Sequence, residues 1–179
     1  MEIFRRYLRW RHSRGFGVHS PYAFRIIERV IRPGGAARYG DVRIRYAMQG
    51  APRRWGNYAR MLLRLVGELR PTSVFIPSDV HAVFITALNA ASTRTPIIRE
   101  PGRAREAELI CSSDSRLPLD VVLEAIRRPS TAVALIDLPE EWIRQIAREL
   151  PEGVVFQGRD SIIAIHRPQT AKVVYTVNL

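Results

Sequence analysis

Acidic and hydroxyl side chains follow several predicted strands, at the places where an open α/β sheet binds small molecules. These residues are Ser78, Asp79, Glu100, Asp114 and Asp137. Side chains of these types are suited to hydrogen-bond a ribose, an adenine amino group or an ammonium ion. They are equally suited to cap helices or to lie in solvated turns. Their types and positions therefore indicate a ligand site at strand ends, and both interpretations stay open.

The elements that position these residues come from residue 71 onward, where short β-type runs alternate with helical patterns. This alternation is typical of βαβ units on a parallel sheet. We predict strands over residues 73–76, 96–99, 108–111 and 131–136, and helices over 80–91, 118–127 and 139–150. Three further strands, over 154–156, 161–166 and 173–177, have no helix between them and predict an antiparallel finish. The fold class is therefore α/β, with a mostly parallel sheet and antiparallel C-terminal strands.

The N-terminal 70 residues have a different pattern, which predicts helices packed on that sheet. An amphipathic basic helix over residues 3–12 is suited to lie on a membrane surface or to dock on its own domain, and docking is commoner at this length. Ser20 and Pro21 predict the N-cap and first residue of a second helix, which runs to about residue 31. A third helix is predicted over 58–69, and 36–50 gives no clear element. We thus expect one structural domain, with a helical extension over 1–70 and a core over 71–179.

Charge is concentrated in the same N-terminal region. Residues 1–70 hold sixteen arginines and four acidic residues, a formal charge of +12, whereas residues 71–179 hold twelve basic and thirteen acidic residues, a charge of −1. Such a patch attracts polyanions such as nucleic acid. Genome composition explains the use of arginine for lysine, but it does not explain the missing acids. The residues expected to bind a polyanion are Arg5, Arg6, Arg9 and Arg11.

Composition narrows the class of protein further. No apolar run reaches the length of about 20 residues that a membrane-spanning helix needs, and arginines interrupt the first eleven residues, so export is not expected. The single cysteine, Cys111, can form no internal disulfide, which fits a cytoplasmic protein. The four histidines lack the spacing of a zinc site, so no metal is expected. Strands at the C-terminus leave edges through which a homodimer would pair.

Several segments together resemble one known family. They are FGVHSPYAF at 16–24, YARMLLRL at 58–65 running into RPTSVF at 70–75, ALID at 134–137 and IAIHRPQTAK at 163–172. These segments are similar to a bacterial group of class I S-adenosylmethionine-dependent methyltransferase-like proteins with an N-terminal Gly-Val-His-Ser-Pro-Phe-type motif. The resemblance implies a Rossmann-like sheet with S-adenosylmethionine over the first two strand ends. It further implies that Glu100 lies near the ribose, that Asp114 lies near the adenine, and that Asp137 ends a strand that binds metal or substrate in many relatives.

The chain departs from this family at the cofactor loop. The family has an acidic residue and a glycine turn, typically Glu-x-Gly-x-x-x-Gly, where this chain has IPSDVHA at 76–82. Glycine lets the backbone approach the cofactor closely, whereas Ser78 and Ala82 add Cβ atoms and Pro77 removes an N–H donor. Asp79 would supply an acidic contact to the cofactor, but from a position shifted along the chain. The short spacing between residues 99 and 108 also predicts a reduced sheet that has lost at least one crossover.

Three hypotheses follow. The first is a methyltransferase that uses S-adenosylmethionine through a modified pocket, with Ser78, Asp79, Glu100, Asp114 and Asp137 as its contacts and a methyl acceptor that the sequence does not name. The second is a non-catalytic descendant that persists as a binding or assembly module. The third, compatible with the second, is a nucleic-acid-binding or ribosome-associated protein that uses its basic N-terminal region.

Overall fold

The computed structural model describes residues 2–32, 44, 46–49, 52–113 and 117–179, with side chains considered from residue 7 onward. The strands are β1 Val74–Phe75, β2 Ile97–Ile98, β3 Leu109–Ser113, β4 Ala132–Ile136, β5 Gly153–Gln157, β6 Ser161–His166 and β7 Val173–Thr176. The α-helices of the described residues are α1 Glu2–His12, α2 Pro21–Ile26, α3 Arg53–Leu69, α4 Ala82–Ala91, α5 Leu119–Arg127 and α6 Glu140–Glu149.

The seven strands form one sheet in the order β2-β1-β3-β4-β6-β5-β7. β2, β1, β3 and β4 run parallel, and β6 is antiparallel to both of its neighbours, β4 and β5. β7 adds to the far side of β5 in parallel. This arrangement confirms the predicted α/β fold with antiparallel C-terminal strands, and it is Rossmann-like. Because the chain passes from β1 to β2 on one side and then to β3 on the other, the strand order reverses at β1.

Helices cover both faces of the sheet. Along β4, Ala132, Ala134 and Ile136 belong to one hydrophobic cluster, and Val133 and Leu135 belong to the other, since successive side chains of a strand point to opposite faces. The first cluster is covered by α2, α3 and α4, and the second by α5 and α6. Burial on both faces explains why β4 has a continuous apolar sequence.

Three predicted bounds are wrong by two residues or more. β3 ends at Ser113, two residues beyond the predicted end at 111. α3 begins at Arg53, five residues before the predicted start at 58, because Gly56 lies inside the helix and does not interrupt it. A Cβ at Gly56 would lie 2.4 Å from the sulfur of Met48, so the glycine permits a close contact. α4 begins at Ala82, two residues later than predicted, because His81 caps it. Most of the segment 36–50 lies outside the described residues.

The connection from β2 to β3 is the 3₁₀ helix Pro101–Glu106. The sequence predicts the loss of a crossover. Parallel strands are usually joined by a connection of a dozen or more residues that contains an α-helix, and this short 3₁₀ helix replaces it. The chain then leaves β4 through α6 and returns as β5. The sheet therefore has seven strands, and its connection from β2 to β3 is short.

The segment around Ser20 orders the second helix as predicted. The Ser20 hydroxyl oxygen accepts a hydrogen bond from the Ala23 N–H at 3.3 Å, and Pro21 occupies the first helical position. Gly17 precedes this cap with a φ of +76°, in the left-handed region that favours glycine. α2 continues into a π-helical turn over Ile27–Ile31. The motif is thus explained by local structure, and no ligand is needed to account for it.

α1 docks on the sheet edge formed by β7. The Nδ1 atom of His12 donates a hydrogen bond to the Thr176 carbonyl at 3.1 Å, and the Asn178 N–H donates one to the Ser13 hydroxyl at 2.7 Å. This helix therefore satisfies part of an otherwise open strand edge. Pairing of this edge across a homodimer stays a prediction. Among the described residues, no helix is both long enough and apolar enough to cross a bilayer.

Candidate functional site

The carboxyl ends of β2, β1, β3 and β4 lie at one edge of the sheet because these four strands are parallel. An open α/β sheet binds its ligands at this edge, beside the strand where the order reverses. Neighbouring strands are about 4.8 Å apart, so the ends of β2 and β4 are separated by about 14 Å. We use the name strand-end site for the residues that follow β1, β2 and β4, together with the first turns of α3 and α4.

Two of the predicted site residues, Ser78 and Asp79, line one cavity of about 300 Å³. The other lining residues are Phe75, Pro77, Pro101 and Leu117. Glu100 lies next to this cavity in sequence, and Asp137 lies two strands away from β1, at the end of β4. Asp114 lies outside the described residues. The structure therefore brings Ser78 and Asp79 together and places Glu100 and Asp137 on either side of them.

Arg99 links the ends of β1 and β2. Its Nη2 atom donates a hydrogen bond to the Ser78 carbonyl at 2.8 Å, and the Ser78 hydroxyl donates a longer one to the Arg99 carbonyl at 3.4 Å. The carbonyl oxygen and the hydroxyl of Ser78 are thus both hydrogen-bonded within the chain. Sequence reasoning missed Arg99, although its position directly after β2 was a usable signal.

His81 closes the N-terminus of α4. Its Nδ1 atom accepts a hydrogen bond from the Val83 N–H at 3.2 Å. The first amides of a helix are the groups that would otherwise bind an anion. The Trp55 ring, from α3, lies 5.2 Å from the His81 ring and 6.0 Å from the Phe84 ring. The Val83 amide at this helix end is therefore satisfied within the protein, and the Trp55 ring packs beside the capping histidine.

Asp137 forms an ion pair with Arg54. The carboxylate lies 3.0 Å from the Arg54 Nη1 atom, and 21% of the Asp137 side chain is exposed. Asp137 has a φ of +58°, a left-handed conformation that aspartate tolerates better than most residues. One turn further along α3, the Tyr58 hydroxyl donates a hydrogen bond to the Ala134 carbonyl in β4. α3 is thereby held over the end of β4 by two side chains, and its arginine neutralises the predicted acidic residue.

Glu100 has a structural position. It precedes the 3₁₀ helix as its N-cap residue, and its carboxylate lies 4.0 Å from the Arg103 Nη1 atom. Its side chain is 68% exposed, and the Arg103 guanidinium also pairs with Glu106 at 2.8 Å. A contact of Glu100 with a ribose stays a prediction.

The most deeply buried titratable groups near the site are not suited to act as nucleophiles. Burial raises the pKa of the Cys111 thiol far above its ordinary value, and burial raises the pKa of the Tyr58 hydroxyl well above 10. Both groups therefore stay protonated at neutral pH, and a buried thiol of this kind is inert. In the part of the chain that the structure describes, no group of three or more histidine, cysteine or acidic residues could hold a metal ion.

The predicted polyanion-binding arginines lie on α1. Arg5 and Arg6 belong to the helix, but their side chains lie outside the description, whereas Arg9 and Arg11 are half-buried. Within the described residues, no carboxylate lies within ion-pair distance of Arg9, Arg11 or Arg14. No acid among the described side chains therefore neutralises their positive charge.

Comparison with protein-family models, with curated proteins and with solved structures gives no significant match.

Proposed function

We propose that this protein is a non-catalytic binding module on a Rossmann-like sheet, that it does not use S-adenosylmethionine, and that its arginine-rich N-terminal region binds nucleic acid. The observation that carries the first part is the hydrogen bond from Arg99 to the Ser78 carbonyl, which joins the two strand ends over which the cofactor would lie. The family resemblance then describes ancestry and not present activity.

The residues of the strand-end site do not fit S-adenosylmethionine in the position that the resemblance implies. A cofactor at this edge needs a close approach to the loop after β1 and free amides at the start of the next helix. The loop has Cβ atoms where glycine would be needed, and Arg99 crosses it. His81 already accepts the Val83 N–H, and Arg54 already pairs with Asp137. Binding would therefore require several intramolecular contacts to break.

The distribution of ion pairs supports the second part of the proposal. In the C-terminal part of the chain, three arginines form close ion pairs: Arg103 with Glu106, Arg127 with Glu149 and Arg144 with Glu140, at 2.7 to 2.9 Å. Arg9, Arg11 and Arg14 have no such partner among the described residues. Exposed ion pairs contribute little to stability, but they do cancel long-range potential. These three arginines therefore give α1 and the turn that follows it a positive potential, which would attract a phosphate backbone.

The cofactor part is tested by isothermal titration with S-adenosylmethionine and S-adenosylhomocysteine, at low and at moderate salt. We expect no saturable binding up to millimolar ligand. Micromolar binding of either ligand would overturn the non-catalytic assignment, support an active methyltransferase and make acceptor screening the next step.

The nucleic-acid part is tested by the salt dependence of RNA binding, with matched variants. One variant carries Arg9→Gln, Arg11→Gln and Arg14→Gln. The control carries Arg103→Gln, Arg127→Gln and Arg144→Gln, which removes the same charge elsewhere. Each phosphate contact contributes about −0.7 to −0.9 to the slope of log K against log salt. We expect the α1 variant to flatten this slope by about 2 and the control to leave it nearly unchanged. Equal effects of the two variants, or RNA binding that does not respond to salt, would refute the assignment.

A further inference from the structure

Four side chains of α1 and of the turn that follows it form a stack at the protein surface. The Tyr7 and Trp10 rings lie 6.3 Å apart with an angle of 21° between their planes, and the two side chains are 51% and 45% exposed. The Arg11 guanidinium lies 5.7 Å from the centre of the Tyr7 ring, and the Arg14 guanidinium lies 4.7 Å from the centre of the Trp10 ring. We call these four residues the aromatic–arginine face.

This face is fixed in place by the docking of α1. The four residues follow the spacing i, i+3, i+4 and i+7, which puts them on one side of a helix. His12 and Ser13 attach the end of the same helix to Thr176 and Asn178. The rings are therefore presented to solvent from a helix whose orientation is already set, so little conformational order has to be gained when a ligand binds.

Two more exposed rings extend the apolar surface beyond the end of α1. Phe16 and Phe24 are 56% and 44% exposed. The Phe24 ring lies against Gly15, where a Cβ would come within 2.5 Å of the ring, so the absence of a side chain at Gly15 gives Phe24 its place. Of the seven large apolar side chains that are exposed in the described residues, four thus come from residues 7–24. Exposed aromatic rings concentrated in one segment indicate a binding surface.

We propose that the aromatic–arginine face binds single-stranded nucleic acid, with unpaired bases stacking on the Tyr7 and Trp10 rings and phosphates contacting Arg11 and Arg14. This inference rests on the nucleic-acid binding proposed above and specifies its ligand. Single-strand binders combine aromatic rings, on which bases stack, with cations that follow the backbone, and both components stand on this face. A base also stacks on a guanidinium plane, so all four members of the stack offer a surface for a base.

The composition of the face favours unpaired bases over a duplex. In a duplex, the bases stack on one another and expose only their edges, which leaves exposed rings without a function. An interfacial membrane helix also has aromatic rings beside arginines, so the vesicles in the experiment below test that alternative. The aliphatic residue Leu8 is half-buried, and each ring of the face lies next to a guanidinium that would contact a phosphate. The chemistry of the face therefore matches bases and phosphates together.

The experiment measures fluorescence anisotropy of a labelled single strand of about 12 nucleotides, within the usual site size of such binders. The matched ligand is an abasic strand of the same length, which keeps every phosphate and lacks every base. A hairpin duplex of equal charge and vesicles of phosphatidylcholine with phosphatidylserine complete the set. We expect the base-containing strand to bind at least about tenfold more tightly than the abasic strand and the duplex, and more tightly than the vesicles.

Two variants separate stacking from charge. Tyr7→Ala combined with Trp10→Ala should reduce affinity for the base-containing strand at least about tenfold and leave affinity for the abasic strand and the salt slope unchanged. Tyr46→Ala, at the most exposed aromatic side chain of the described residues, 72% exposed, is the control and should leave both affinities unchanged. Circular dichroism of each variant establishes that the fold is retained.

The outcomes discriminate between this inference and the broader proposal. Salt-dependent binding that is equal for the base-containing and abasic strands overturns the stacking inference and leaves nucleic-acid binding standing. Preference for the duplex or for the vesicles also overturns it. Absence of binding to every nucleic acid overturns both. Selective loss of base-dependent affinity in the double-alanine variant supports it.

Discussion

Replacing Gly153 with alanine tests the register of the antiparallel strands. Gly153 begins β5 with a φ of +113°, a conformation that L-residues rarely adopt. A Cβ there would lie 2.1 Å from the Ile165 carbonyl oxygen and 2.8 Å from the Arg167 nitrogen, so β5 and β6 would have to separate at this end. Backbone strain of this kind costs about 1–3 kcal/mol, and each disturbed hydrogen bond adds about 0.5–1.5 kcal/mol. We expect Gly153→Ala to lower the free energy of unfolding by about 3–5 kcal/mol.

The assay is thermal and urea unfolding followed by circular dichroism, with Gly67→Ala as the matched control. Gly67 lies exposed in α3, and no heavy atom lies within 4 Å of its ideal Cβ position. Alanine at such a helical position stabilises by about 0.5–1 kcal/mol. For a domain of this size, 1 kcal/mol corresponds to about 2–4 °C in Tm, so Gly153→Ala should lower Tm by about 6–20 °C. A loss below 1 kcal/mol would show that the pairing of β5 with β6 described here is wrong.

The remaining predictions concern buried and strand-end groups. Because burial raises the pKa of Cys111 and of Tyr58, the unfolded chain releases protons above about pH 9 that the folded chain keeps, so stability falls as pH rises. The free energy of unfolding measured in urea between pH 8 and pH 10.5 should decline by up to about 1.4 kcal/mol per pH unit for each group, and Tyr58→Phe should reduce the decline above pH 10. Asp137→Asn should cost less than about 1 kcal/mol in urea unfolding, because it removes a partly exposed ion pair with Arg54. Asp137→Ala should cost about 1–2 kcal/mol more, because alanine tolerates the left-handed conformation poorly.

The strands could be predicted from sequence because buried strands consist of continuous runs of apolar residues. The apolar run at 131–136 became β4 with one residue of difference. The start of α3 was not predictable in the same way, because Gly56 is typical of a loop until its contact with Met48 is known. The strand order was likewise hidden, since β6 lies between β4 and β5 through pairings that no local pattern encodes.

The position of the candidate site could be predicted from sequence, but the contacts that its residues make could not. Topology alone puts Ser78, Asp79 and Asp137 at strand ends. Sequence reasoning missed the residues that bind to this site from within the chain. Arg54 pairs with Asp137, and Arg99 donates a hydrogen bond to the Ser78 carbonyl. Arg54 comes from a helix more than 80 residues away from Asp137 in sequence. Periodicity identifies an element and its buried face, but it does not identify the partner of a polar side chain.

The strand-end site and the basic face of α1 are two separate features of one molecule. In the sheet order, β1 and β7 are five strand spacings apart, about 24 Å at 4.8 Å for each spacing. Sites at that distance, with no shared partners, contribute independently to the free energy. A change in the loop after β1 therefore places no constraint on α1, which docks on β7. The edge of the sheet holds this basic helix whether or not the strand-end site binds a ligand.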